Sequence, residues 1–202
     1  MRMTGARRWW IPACLVLLGA VVVWVAPAER SLGAGIRWVY VHVGLVWAGT
    51  LALAIAGVGG VVCLVSQRMA MASWISAVAR AGLAIFALGI AFSMIAARVN
   101  WGAVFLAEPR MAASLRFLAL AVIVQVAAGW IARPRATASL ASLTFALLLW
   151  DVGGAELVMH PRDPVRTATS AAIQWTFACT FVIATALTAW TVVTLRASAA
   201  SR

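Results

Sequence analysis

Apolar runs longer than about 18 residues recur along this chain, and such runs are the signature of membrane-spanning helices. Six are read as spans: residues 9–27, 39–65, 75–97, 112–131, a fifth from about 136, and 168–195. Arginines close most of them: Arg68, Arg98, the Arg133-Pro134-Arg135 stretch and Arg196. The fifth is cleanly apolar only to Trp150. Crossing takes about 20 residues, so it is expected to continue to about Met159, with Asp151 and Glu156 in its outer end. The fold class expected is all-α: a polytopic membrane helix bundle of about six transmembrane helices. No internal repeat or low-complexity linker interrupts it, so residues 1–202 are treated as one domain.

Composition agrees. The chain is 65% hydrophobic and 10% charged, where a soluble domain carries roughly 25% charged residues. A formal charge of +11 would point to nucleic acid in a soluble protein. Here the arginines sit between apolar spans, so lipid headgroups and topology account for them, and no nucleic-acid partner is expected. Cys14, Cys63 and Cys179 each lie inside an apolar run and form no CxxC or CxxCH. They read as small packing residues, not as a disulfide framework, a zinc site or a covalent haem attachment.

Six spans sort the loops into two sets. One holds Arg2, Arg7, Arg8, Arg68, Arg80, Arg133, Arg135, Arg196 and Arg202 and no acid. The other holds every acid, Glu29, Glu108, Asp151, Glu156 and Asp163, and both histidines, His42 and His160. Placing the acid-free set inside puts both termini in the cytoplasm and the histidines on the periplasmic or extracellular side of a plasma (inner) membrane. The outer set keeps Arg30, Arg37, Arg98, Arg110, Arg116, Arg162 and Arg166, which fits either an anionic ligand there or pairing with the five acids. Residues 7–28 also resemble a cleavable secretory signal ending in Ala26-Pro27-Ala28; a retained first helix keeps the span count even.

The two histidines are the residues whose chemistry stands out. His42 lies about four residues inside the second expected span, and His160 directly follows the fifth. Ionisable groups within a bilayer are costly and are functional candidates by default. Each alone would pass as a neutral imidazole hydrogen-bonded in a bundle. Two at one depth on one face can instead bind a single metal centre from opposite sides, and neutral imidazole is a common axial ligand of haem iron. Zinc would want three or four ligands, and no cysteine lies at this depth. Glu156, four residues before His160, is either a solvated carboxylate or, if the helix persists past Gly153-Gly154, a group orienting that imidazole.

Between the histidines, residues 98–114 form an apolar, aromatic outer loop broken by Gly102 and Pro109. Such a segment lies flat on a membrane surface and presents Trp101 and Phe105 to an apolar partner such as a porphyrin edge; the plain alternative is an interfacial aromatic belt. Arg98 and Arg110 flank it as planar donors for two propionates.

Three local patterns resemble the cytochrome c assembly, haem-handling family, in particular its short six-span haem exporter C (CcmC-like) branch. They are Tyr40-Val41-His42-Val43 followed by Trp47; Trp101-Gly102 leading to Glu108-Pro109-Arg110; and Leu157-Val158-Met159-His160-Pro161. The likeness spans roughly the second to the sixth run. It departs from the family pattern at Gly44, where proline is usual, at Phe105 and Ala107, where tryptophan usually recurs, and at Glu108, where aspartate is usual. The resemblance implies non-covalent, b-type haem held at the outer face by His42 and His160, with the loop around Trp101 cradling the ring. It further implies delivery to a haem chaperone for cytochrome c biogenesis, ABC transporter subunits as partners, membrane lipid around the bundle, and no catalytic residues. Two other readings stay open: a bis-histidine electron-transfer subunit, and a haem-free scaffold of a transporter complex.

Overall fold

The computed structural model describes residues 9–158, 168 and 170–199. Those residues form six α-helices: α1 Trp10–Trp24, α2 Ile36–Ser66, α3 Ala72–Trp101, α4 Pro109–Ile131, α5 Pro134–Asp151 and α6 Ala171–Ala199. A short 3-10 turn, Met69–Met71, links α2 to α3. The backbone reason is general: lipid offers no hydrogen-bond partner, so a buried apolar segment must satisfy its own amides, and a helix does so within the segment.

Among the described residues four helices are long and apolar enough to cross a membrane: α2, α3 with the preceding turn, α4 and α6. They mark the chain as a membrane protein. The expected count of about six is met by these four and not by the other two described helices taken alone. α1 is apolar but has only 15 residues, about 22 Å at 1.5 Å per residue against a hydrocarbon core of about 30 Å. α5 has 18 residues and stops at Asp151, short of the Met159 expected. Leu148 O accepts from both Val152 N and Gly153 N, which closes the last turn, and two consecutive glycines each cost a continuing helix about 1 kcal/mol. Glu156 consequently lies outside any helix and is exposed.

α2 and α3 make the centre of the bundle, with α5 and α6 packed on α2, α1 leaning on α6 and α4 on α5. Small residues bring the central pair together. A Cβ on Gly49 would meet Phe86 N at 2.6 Å, and one on Gly89 would meet Val46 N at 2.9 Å. These pairs run in opposite sequence directions, so α2 and α3 are antiparallel. Without a hydrophobic drive between helices in lipid, close backbone approach through glycine supplies the van der Waals contact. Phe86 and Phe117 then cross edge to face with ring centres 5.3 Å apart, inside a cluster with Leu53, Ile90, Met111 and Leu148.

Tryptophans gather at helix ends, with Trp10 and Trp24 closing α1, Trp101 closing α3, and Trp130 and Trp150 next to the last residues of α4 and α5. That is the distribution of interfacial belts. Helix direction alternates along the chain, so the four described acids, Glu29, Glu108, Asp151 and Glu156, collect at one end of the bundle. Arg68, Arg80, Arg133, Arg135 and Arg196 lie toward the other. The sequence-based partition of charge therefore holds for the described residues.

Candidate functional site

At the carboxylate-bearing end a cavity of about 770 Å³ opens between the residues preceding α2, the ends of α2 and α3, the α3–α4 connection and the start of α6. Its size falls within the 300–1,000 Å³ range of small-molecule and cofactor sites. The lining is mainly apolar: Leu32, Val39, Val43, Ala96, Met111, Ile173 and Phe177 among others. The polar groups facing it include His42, Ser93, Glu108, Glu29 and Arg30.

His42 is six residues past the start of α2, about 9 Å along its axis. Its Nδ1 lies 3.0 Å from the main-chain carbonyl of Gly89 in α3. A carbonyl only accepts, so Nδ1 is the donor in this contact, which in a neutral ring makes Nε2 the nitrogen with the lone pair. Fixing the tautomer through one ring nitrogen in this way is what orients a metal-ligating imidazole. Gly89 supplies the geometry, because its missing side chain lets α3 approach α2 there.

The α3–α4 connection is shorter than the loop expected over residues 98–114. α3 runs through Trp101 and α4 begins at Pro109, so only residues 102–108 are non-helical. Gly102 ends α3 with φ +78°, and its N–H returns to Arg98 O at 3.0 Å; that left-handed cap favours glycine. Glu108 caps α4, its Oε2 accepting from Met111 N at 2.7 Å, with Pro109 in the first turn, a position proline suits. Gly102 and Pro109 thus shape the connection, while Trp101, Phe105 and Glu108 line the cavity.

The other expected site residues fall differently. Trp47, five residues past His42, points elsewhere: it packs edge-on against Phe181 with ring centres 6.1 Å apart. Neither Arg98 nor Arg110 lines the cavity; Arg98 sits on the exposed side of the last turn of α3, and Arg110 in the first turn of α4. The arginine at the cavity wall is Arg30. His160 lies outside the described residues, as do Asp163, Arg162 and Arg166. The expected continuation of α5 through Glu156 does not occur, because the helix ends at Asp151.

The wall that sequence reasoning missed is the segment before α2. Glu29 and Gly33 exchange main-chain bonds, Gly33 N to Glu29 O at 2.7 Å and Glu29 N to Gly33 O at 3.2 Å, with Gly33 at φ +56°. The Glu29 carboxylate also accepts from the Ser31 hydroxyl, from Ser31 N at 2.8 Å and from Leu32 N at 3.0 Å. The Ser31 hydroxyl first, then these amides, hold the Glu29 carboxyl below the usual carboxylate range. The only sequence signal was the run Glu29-Arg30-Ser31 followed by Gly33, a turn composition. Tyr40, fully buried, donates to Pro27 O at 3.3 Å and meets Phe177 edge-on at 4.7 Å. That contact ties the segment to α2 and α6.

Gly44 lets α6 approach α2 closely. A Cβ there would lie 2.9 Å from the carbonyl carbon of Thr180 in α6. No family model and no curated protein matches the chain.

Proposed function

We propose that this protein binds haem non-covalently in the cavity at the carboxylate-bearing end of its bundle and passes it on for cytochrome c biogenesis. His42 and His160 would hold its iron. Trp101 and Phe105 cover the porphyrin face or edge, and Arg30 takes the place first given to Arg98 and Arg110 as the nearest cation for a propionate. One observation carries the reading: His42, its Nδ1–H tied to the Gly89 carbonyl at 3.0 Å, lines an apolar cavity of about 770 Å³. The donor type, the fixed tautomer and the volume fit haem ligation. Among the described residues no group of three His, Cys, Asp or Glu converges as a metal site, so a fully protein-ligated zinc site has no support in them.

When bound, haem supplies only its iron as the point of attachment; the chain's own groups hold, orient and shield it. Ser93 and Glu108 bring further polar groups into the cavity wall, and the apolar lining limits water. The protein is then a delivery component of an inner membrane, without catalytic residues, working with an ABC transporter and a haem chaperone. Its termini are cytoplasmic and the cavity faces the periplasm or cell exterior.

The test is the visible spectrum of the protein purified in mild detergent and supplied with haem. A six-coordinate spectrum that is lost in His42→Ala and in His160→Ala supports the proposal. Failure of the unmodified protein to take up haem overturns it in favour of a scaffold. Haem that is retained and cycles redox states but never transfers to a chaperone favours the electron-transfer reading.

A further inference from the structure

A second groove opens at the opposite, acid-free end, where α3, α4 and α5 diverge, with a volume of about 330 Å³. Ser73, Ser76 and Arg80 of α3, Gln125 of α4 and Thr137 of α5 line it. Arg80 lies eight residues past the start of α3, and Gln125 six before the end of α4. Both are thus about 9–12 Å in from that end of the bundle. Nothing in the haem site uses them.

Among the described residues no acid pairs with Arg80. Its guanidinium is steadied by a neutral group on its own helix, Nη2 to Ser76 Oγ at 2.7 Å and Nε to the same oxygen at 3.2 Å. The ion pair found among the described residues is Arg116 with Asp151. α3 and α4 contain no acid, and that of α5, Asp151, is at the far end. A charged side chain within a bilayer is costly, so such a residue marks a functional site with a partner to be named. Here the surrounding groups are hydroxyls and an amide, hydrogen-bond donors that suit phosphate oxygens, around a planar cation that binds them in a bidentate fashion. Trp74 and Trp130, exposed at this same end, mark headgroup depth.

We propose that the α3–α4–α5 groove is a binding site for a phosphate-bearing anion, either the headgroup of an anionic phospholipid or free phosphate. Arg80 supplies its charge partner, and Ser73, Ser76, Gln125 and Thr137 supply its hydrogen bonds. Basic grooves between transmembrane helices are suited to anionic headgroups.

The experiment is thermal unfolding of the full chain in mild detergent with added phosphatidylglycerol, phosphatidylcholine or inorganic phosphate. Phosphatidylglycerol is expected to raise the midpoint by about 3 °C or more over phosphatidylcholine. Arg80→Gln is expected to remove most of that rise, while Arg68→Gln, exposed at the same end, keeps it. An equal rise with inorganic phosphate assigns the free anion as the ligand. No rise with either anion, or an equal rise in Arg80→Gln and the unmodified protein, overturns the proposal. Should Arg80→Gln not be recovered folded, Gln125→Leu decides: a reduced rise supports the site and an unchanged one sinks it.

Discussion

The side-chain amide of Asn100, near the end of α3, donates to the main-chain carbonyl of Gly35 just before α2 across 3.2 Å. It also reaches Ala96 O at 2.8 Å. One residue therefore clasps the helix end that carries Trp101 to the helix start that leads to His42. Asn100→Ala removes a net hydrogen bond worth about 1 kcal/mol, while Gly35 O keeps its bond from Trp38 N at 3.2 Å. The expected outcome is a fall in the unfolding midpoint of about 2–4 °C together with faster loss of haem. A stability loss with unchanged haem retention would separate the clasp from the site.

Gly44 carries the approach of α6 to α2 beside the cavity. A Cβ there would be 2.9 Å from the Thr180 carbonyl carbon and 3.0 Å from its Cβ. Backbone cannot yield as a flexible side chain does, so Gly44→Ala should cost about 1–3 kcal/mol by overpacking. Gly129, with nothing within 4 Å of a Cβ, is the control: Gly129→Ala should leave stability unchanged or raise it, since alanine is the better helix former. Thermal unfolding of both variants in one detergent checks the difference.

The turn before α2 should respond to acid. The Glu29 carboxyl is held below its ordinary value by the Ser31 hydroxyl and the Leu32 and Ser31 amides, so its folded form favours the ionised state. A group with a depressed folded pKa contributes stability above its unfolded pKa and loses it as pH falls through the folded one. Amide protection at residues 29–33, taken relative to the intrinsic exchange rate at each pH, should therefore stay constant from neutral pH down to the ordinary carboxylate range and fall below it. Glu29→Gln should abolish that step. A profile that is flat for the unmodified protein would refute the carboxylate's role.

What the sequence made legible followed from period and charge. Continuous apolar runs gave the helices because in lipid nothing else satisfies the backbone, and arginines marked their ends. α5 was misjudged because length was weighed above Gly153-Gly154, whose local cost ended the helix at Asp151. Chemistry and likeness to a motif make His42, Trp101, Phe105 and Glu108 candidate site residues, and all four line one cavity. Arg98 and Arg110 were chosen from their places flanking a loop. α3 absorbed the first four residues of that loop and turned the Arg98 side chain outward. Arg30 stands in the sequence only as one of seven outer arginines, because a turn between spans gives no periodic signal; the Glu29–Gly33 fold shows which wall it joins. The Gly49–Phe86 and Gly89–Val46 approaches were equally hidden, since helix pairing is a tertiary fact.

Glu108 joins a structural task to the site, and three variants divide the two. Its Oε2 caps α4 through Met111 N at 2.7 Å, and its charge sits at a helix N-terminus, where the macrodipole favours an anion. Glu108→Ala should cost about 1 kcal/mol through loss of the cap. Glu108→Gln keeps an accepting oxygen of the same reach and loses the charge, so it should cost less. Glu108→Asp retains charge on a residue that ranks among the best N-caps, and should match the unmodified protein in stability. All three remove or move a group lining the cavity. If the carboxylate contributes to haem retention, Gln and Asp variants of near-native unfolding midpoint will differ in haem dissociation rate, with Gln the more altered. Equal rates in both, alongside a stability loss confined to alanine, would restrict Glu108 to capping and leave His42 as the polar group on which retention depends.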